Sequence, residues 1–511
     1  MISTHSLALA AALALASCSG RSERASPTDW QAALASGDAA GAEIALKQRL
    51  RDGAPVAELS PYLGEAELRQ GDLVEARKWL GGADFAPDVA ARGYHMLGRL
   101  RMAEGDLRGA GAAFDQALRG AARDPGLWVD IARLRYRGGE QAQAIEASKE
   151  AVALGSENPA ALLLNAQLVR DAAGNAAALP LFARGLEVAP DNADLLAEYA
   201  ATLGELGRAQ DMLAATRRLT VAAPGDRRAL YLQAVLAARA GRHDLARTLL
   251  QRGEGGDTSP AATLLLAMVN LENGNPASAT QAFDRLLAGQ RDNARVATLL
   301  ARALAASGSH RELIARFGAE AQSRYIALLV GRAYEKLGDR ATAAVHLDRA
   351  LRRGGEVQMV PLAPRTPLNV ALSRTPADGV DTVAVVRGLV AGGRSAQARA
   401  TAEAWLRRHR GSAEARALAG DTAFLANDPR AAIAHYRAAA AIRQSWLLTK
   451  RMAAAYEAAG DTAAAEALVA AQLASAPNNA EAAALLARRL AARGDRQQAD
   501  RLYVHAANHG G

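Results

Sequence analysis

The residues able to do chemistry are few, and their spacing argues against catalysis. Cys18 is the only cysteine among 511 residues, so neither an intramolecular disulfide nor a thiolate metal site can form. The nine histidines are dispersed along the chain. Only His505 and His509 stand an i,i+4 step apart, a spacing that can hold a metal on one helical face but equally describes a frayed last turn. Carboxylates recur directly after glycines, as in Gly71-Asp72, Gly105-Asp106, Gly338-Asp339, Gly460-Asp461 and Gly494-Asp495, where they suit helix N-caps better than acid/base pairs. No phosphate-binding G-x-x-x-x-G-K-[ST], no H-E-x-x-H, no C-x-x-C and no G-x-S-x-G is present. Arginine remains. Arg99, Arg133, Arg302, Arg332 and Arg387 each lie six residues before a glycine, and each guanidinium presents a planar fork matched to carboxylate or phosphate. No enzyme activity, cofactor or metal is expected; the chemistry on offer is recognition.

The elements that must carry these arginines repeat. Residues 324–352 read as two helices broken at Leu337-Gly338-Asp339, with Leu328, Gly331 and Tyr334 on one apolar face and Ala343, Leu347, Ala350 and Leu351 on the other. Glycine can end the first helix in the left-handed conformation and aspartate can accept from the amides that open the second. Equivalent turn glycines stand at Gly37, Gly71, Gly105, Gly139, Gly174, Gly207, Gly241, Gly274, Gly308, Gly338, Gly393, Gly460 and Gly494, with Asn427 in the remaining slot. Most steps are 33 to 35 residues; only the interval of 30 before Gly338 and that of 55 before Gly393 depart. A hairpin of this size cannot bury its apolar faces alone, so the period predicts an all-α solenoid in which each unit covers the next.

Within the period, small residues fall seven before the turn (Gly64, Gly98, Ala132, Ala200, Gly331, Gly420, Ala453, Ala487) and five after it (Ala76, Ala110, Ala144, Ala343, Ala465, Ala499), and Pro190, Pro224 and Pro477 close repeats. This pattern resembles the tetratricopeptide repeat family, although the family's early aromatic is mostly missing and Met212 replaces one small residue. The resemblance implies a right-handed superhelix whose first helices line a concave groove, with the position six before each turn pointing inward. That position is held by the five arginines above and by Arg488, and elsewhere by Glu65, Gln167, Val235, Met268 and Asp421. An apolar stretch of Tyr231, Val235, Leu264, Met268 and Leu271 separates Arg99 and Arg133 from Arg302, Arg332 and Arg387. Such a groove would hold an extended acidic peptide or an acidic polysaccharide. Arginine is also preferred throughout the chain, among 61 Lys and Arg, so the ladder can equally reflect composition.

The first residues carry a separate signal. Leu7 to Ala16 is an apolar run too short to span a membrane as a mature helix, and Leu15-Ala16-Ser17-Cys18 follows it. This resembles the signal of bacterial lipoproteins, in which the cysteine becomes the lipidated first residue, although MISTHS lacks the usual positive charge. An ordinary signal peptide or an uncleaved apolar segment is the alternative. The expected organisation is a signal at 1–17, a lipid-anchored polar tether at 18–28, solenoid at 29–353, a proline-rich insertion or hinge at 354–379, solenoid again at 380–508 and a tail at 509–511. Pro361, Pro364, Pro367 and Pro376 forbid a continuous helix through the insertion.

A formal charge of +8 invites a nucleic-acid reading. Against it, basic pairs such as Arg217-Arg218 and Arg227-Arg228 are scattered, and aromatics for base stacking are only 4% of the chain. The expectation is a non-enzymatic scaffold at the periplasmic face of the outer membrane, attached to the membrane through its lipid alone. Its partners would be other envelope proteins of an export or assembly system; family members of this shape serve pilus assembly, exopolysaccharide secretion and outer-membrane biogenesis. A soluble periplasmic protein or a cytoplasmic adaptor is the alternative.

Overall fold

The computed structural model describes residues 29–253, 259–290, 293–319, 323–351 and 379–508. Cys18, the signal and tether, all but the last residue of the insertion at 354–379, and His509 with the tail lie outside the described residues. Among those described there are 28 helices and no strand.

Each hairpin turns where left-handed backbone is required. All thirteen turn glycines have φ between +72° and +96°, and Asn427 adopts +59° in the slot where glycine is missing. Gly174 is the variant: its ψ of 174° contrasts with 8° at Gly71, so the repeat whose spacing is shifted turns differently. The carboxylates after these glycines are N-caps. Asp72 accepts from the amides of Val74 and Glu75 at 3.1 and 2.9 Å, Asp106 from Gly109 at 2.8 Å, and Asp339 from Thr342 at 3.0 Å. Asp461 accepts from Ala464 at 2.9 Å and Asp495 from Gln498 at 3.2 Å. These bonds satisfy amides that have no partner within their own helix.

The two helices of a hairpin cross at the small residue seven before the turn, and the residue sixteen positions later fills the crossing. A Cβ at Gly64 would come within 2.4 Å of Leu80, at Gly98 within 2.3 Å of Phe114, at Gly331 within 2.8 Å of Leu347 and at Gly420 within 2.5 Å of Tyr436. At two crossings alanine replaces glycine and the opposite residue is smaller: Ala132 and Ala200 have Ser148 and Thr216 at the same offset, all four fully buried, whereas Ala267 keeps the large Phe283 at that offset. Met212 follows the same rule. It occupies a normally small position, and the room comes from Gly204, whose Cβ would stand 2.6 Å from the Met212 sulfur. At these crossings close packing is kept although the residues differ.

The chain divides into two compact units, one ending at Ala122 and the other beginning at Arg123. In the first, Trp30–Ser36 and Ala39–Arg51 form the opening hairpin, and Trp30 lies against Tyr62 with ring centroids 4.3 Å apart. In the second, the hydrophobic core passes from hairpin to hairpin. One cluster runs from Ala166 to Leu232 and another from Ala267 to Ala333. Arg340–Leu351 packs on Arg324–Lys336, and among the described residues it makes no comparable packing with Gly379–Ala391. Val345 and Leu351 are accordingly exposed, at 68% and 72%.

Candidate binding face

The direction of curvature follows from which helices touch. First helices of successive hairpins pack on one another from Pro125–Arg137 through Pro159–Ala173, Ala193–Glu205 and Arg227–Arg239 to Pro260–Glu272. Ala294–Ala306 meets Arg324–Lys336 in the same way, as Ala413–Leu425 meets Trp446–Ala458. No comparable packing joins successive second helices among the described residues. A ribbon whose first helices are crowded together and whose second helices are spread apart bends with the first helices inside. The positions six before the turns lie on these helices.

Arg133, Arg302 and Arg332 at those positions are engaged. Arg133 donates to Asp130 at 2.9 Å and Arg332 to Glu335 at 2.7 Å, each within its own helix. Arg302 pairs with Glu272 of the preceding first helix at 2.9 Å. Arg99 lies in the first unit, its guanidinium 3.8 Å from the Met96 sulfur, whereas Arg133 belongs to the second. Arg387 is half-buried. The apolar stretch is continuous with the core beneath it: Leu264, Met268 and Leu271 are half-buried against one cluster, Val235 against another and Tyr231 against a third.

Elsewhere arginine staples one repeat to the next. Arg228 reaches Asp194 at 2.7 Å as well as Asp226 at 2.6 Å, Arg170 reaches Glu198 at 2.7 Å, and Arg239 reaches Glu205 at 3.2 Å. Arg489 pairs with Glu457 and Lys450 with Glu481, both at 2.6 Å. The bond from Arg228 holds the Asp226 carboxyl below the usual carboxylate range. Several of these pairs are about one repeat period apart, so the abundance of arginine has a structural use that composition alone does not reveal. Glu65 and Asp421, at the same slot as the arginines, are buried rather than open to a groove, with exposures of 3% and 1%. Glu65 is held by Arg69 at 2.6 Å and by Arg92. The hydroxyl of Tyr436 donates to Asp421 at 2.7 Å, and Arg451 stands 3.3 Å away. Burial pushes the Asp421 carboxyl up to about 6, against the opposing pull of Arg451, the Tyr436 hydroxyl and Arg387.

The second unit also meets itself. Turns between the two helices of a hairpin lie along one edge of the ribbon, and the connections to the next hairpin lie along the other. Across 269 to 273 residues, eight repeat periods, one edge touches the other. The amide of Ala142 donates to the Gly411 carbonyl at 3.1 Å, and the amide of Gln444 to the Ala172 carbonyl at 2.7 Å. The Glu140 carboxylate accepts from the Gly411 amide at 3.2 Å and faces His409 Nδ1 at 3.2 Å. Gln141 accepts from the Ala413 amide at 3.1 Å and donates to Glu414. Arg443 joins Asp171 at 2.8 Å with Glu414 at 2.6 Å, and Tyr136 donates to Asp171 at 3.1 Å. Beside this seam a hollow of about 500 Å³ opens between first helices, lined by Tyr136, Gln167, Arg170 and Asp171. Close approach shows in the glycines: a Cβ at Gly411 would fall 1.7 Å from the Gln143 side chain, and one at Gly207 would fall 3.1 Å from Asn478.

The sequence reading missed the seam. Gly411, in the short turn closed by the Ser412 amide on the His409 carbonyl, carries no mark in the sequence of the contact it makes. His505, singled out for its spacing to His509, is instead 2.7 Å from the Pro477 carbonyl. Among the described residues no group of three or more His, Cys, Asp or Glu side chains is placed to hold a metal ion.

Tetratricopeptide-repeat models match residues 95–159, 195–261 and 386–445, and a second such model matches residues 237–303. These segments carry tetratricopeptide repeats, a unit whose stacked arrays serve as protein-interaction scaffolds. The chain is similar to a tetratricopeptide repeat protein from Parabacteroides merdae, with 18% identity over 47% of this chain and 96% of that one, TM-score 0.39. It is similar to pilF of Pseudomonas aeruginosa, with 16% identity over 45% of this chain and 93% of that one, TM-score 0.31. A third similar structure is YrrB, described as having an unusual peptide-binding site, with 19% identity over 36% of this chain and 95% of that one, TM-score 0.28. No curated protein matches the sequence.

Proposed function

We propose that this chain is a non-enzymatic scaffold whose inner face grips an extended acidic protein segment. It works as a lipoprotein of the periplasmic face of a bacterial outer membrane, anchored through Cys18, in support of an export or assembly system. The observation that carries the binding half is the state of the inner-face pairs. Arg302 and Glu272 keep 46% and 45% of their side-chain surface in solvent, and Arg332 keeps 65%. Exposed pairs of this kind contribute about 0–1 kcal/mol each, so an incoming carboxylate can replace the internal one at little cost. The half-buried Leu264, Met268 and Leu271 stand beside them to take apolar side chains of the same partner.

The envelope half rests on the apolar run before Leu15-Ala16-Ser17-Cys18. Mass spectrometry of the mature N-terminus tests it: a diacylglyceryl-modified Cys18 is expected, and an unmodified Met1 removes the assignment. For the binding half, Arg302→Glu with Arg332→Glu is compared with the parent in capture of envelope proteins from detergent-solubilised membranes. Loss of specific partners is expected, and an unchanged set of captured proteins contradicts the reading. Competition by an acidic polysaccharide that displaces those partners from the parent alone would instead assign the face to a polymer ligand.

A further inference from the structure

The seam brings together hairpins that stand eight repeats apart along the chain. Among the described residues, Arg340–Leu351 and Gly379–Ala391 are not packed on each other, and the hairpins of 379–508 meet those of 123–351 through the edge contacts at Glu140, Gln141, Ala142, Asp171 and Ala172. Those contacts have a particular chemistry. Ala142 and Ala413 lie in the first turns of Gln141–Leu154 and Ala413–Leu425, and Ala172 lies in the last turn of Pro159–Ala173. Their amides and carbonyl are therefore the groups a helix leaves without internal partners, and water can take them when the seam parts. The charged contacts are partly open to solvent: Arg443 and Glu414 keep 35% and 54% of their side-chain surface there, Asp171 24%, and His409 and Glu140 26% and 17%. Within each stack, by contrast, hairpins are held by buried apolar side chains, Leu, Phe and Ala in the first and Ala, Val, Leu and Tyr436 in the second, which water cannot replace.

We propose that the seam is a releasable latch. The two stacks part along it as intact bodies, and its closure sets the curvature of the inner face they share. Arg443 is the central group, because one guanidinium bridges Asp171 on the first stack and Glu414 on the second. Raised ionic strength weakens the exposed ion pairs and leaves burial within the stacks untouched. The device goes beyond the reading of the inner face as a binding surface and does not depend on it.

The test uses the full chain with C18S, so that an introduced pair, Ala172→Cys and Gln444→Cys, supplies the only thiols. Titration with a glutathione redox buffer gives the effective concentration of one thiol at the other, which reports the closed fraction. A high value is expected at low salt, falling about tenfold in Arg443→Asp and falling with added NaCl in the parent, while far-UV circular dichroism stays constant. Arg443→Lys, which keeps a cation but loses the fork, should fall between the two. Three results overturn the proposal: no disulfide in the parent at low salt, since the seam is then not formed; the same effective concentration in Arg443→Asp at high salt, since the seam is then permanent; and a fall accompanied by loss of helicity, since the stacks then melt rather than part.

Discussion

Replacing Gly98 by alanine separates two opposite expectations. In an open helix interior the change stabilises by about 1 kcal/mol, because glycine loses more backbone freedom on folding. At Gly98 the new methyl would stand 2.3 and 2.4 Å from Phe114 ring carbons, and Phe114 is 1% exposed, with no room to retreat. Overpacking at such contacts costs about 1–3 kcal/mol, and the distance places this site at the upper end, so the net result is a loss of about 2 kcal/mol. Phe114→Ala alone leaves a cavity and costs about 3–5 kcal/mol. Combining the two returns part of the vacated volume to the new methyl, as Ala132 with Ser148 already does. The double variant should then be no less stable than Phe114→Ala, a coupling of about 2 kcal/mol in place of additivity. Amide hydrogen exchange of Ala90–Ala103 and Leu107–Ala121 reads the local opening free energy of this hairpin directly. A stabilised Gly98→Ala, or a double variant that sums the two single losses, would refute the close approach of Phe114 to Gly98 as the reason for the glycine.

Asp421 offers a pH test. Its carboxyl titrates near 6 when folded against 3.8 for the free side chain, so the folded state binds the proton more tightly. Its contribution is full below pH 4 and is lost as pH rises to about 6, a change on the order of 2–3 kcal/mol that Asp421→Asn should abolish in urea unfolding of the hairpins around it. At the turns, Gly460→Ala at φ +84° should cost about 1 kcal/mol, and Gly460→Asn less, as Asn427 already adopts +59°. Asp72→Ala removes a cap that accepts from two amides and should cost about 1 kcal/mol, measured by the thermal midpoint of the first unit's hairpins.

Much of the fold was legible because it is written locally. A left-handed backbone position admits glycine or asparagine and little else, so the thirteen glycines and Asn427 mark every hairpin turn. The aspartates that follow are read as caps for an equally local reason. The site was less legible. Whether an arginine six before a turn faces a ligand or a carboxylate depends on the neighbouring repeat: Arg302 finds Glu272 on the preceding first helix, and the sequence marks neither as a pair. Charge partners one period away, such as Arg228 and Asp194, are a signal the sequence does carry. Asp421 was expected in a groove, and its burial follows from Tyr436 filling the space beside Gly420. The seam depends on the pitch of the whole winding, summed over eight repeats, and no local rule yields it.

The central claim, that the inner face of the first helices is where partners bind, is tested most directly by site-specific photocrosslinking in native membranes. A photoreactive side chain is placed at Val235 or Met268 on first helices, and in parallel at Val221 or Val345 on second helices, which are 80% and 68% exposed. Adducts to a defined set of envelope proteins should arise from Val235 and Met268 and be absent from Val221 and Val345. Adducts from the second-helix positions alone, or equally from all four, would contradict the account.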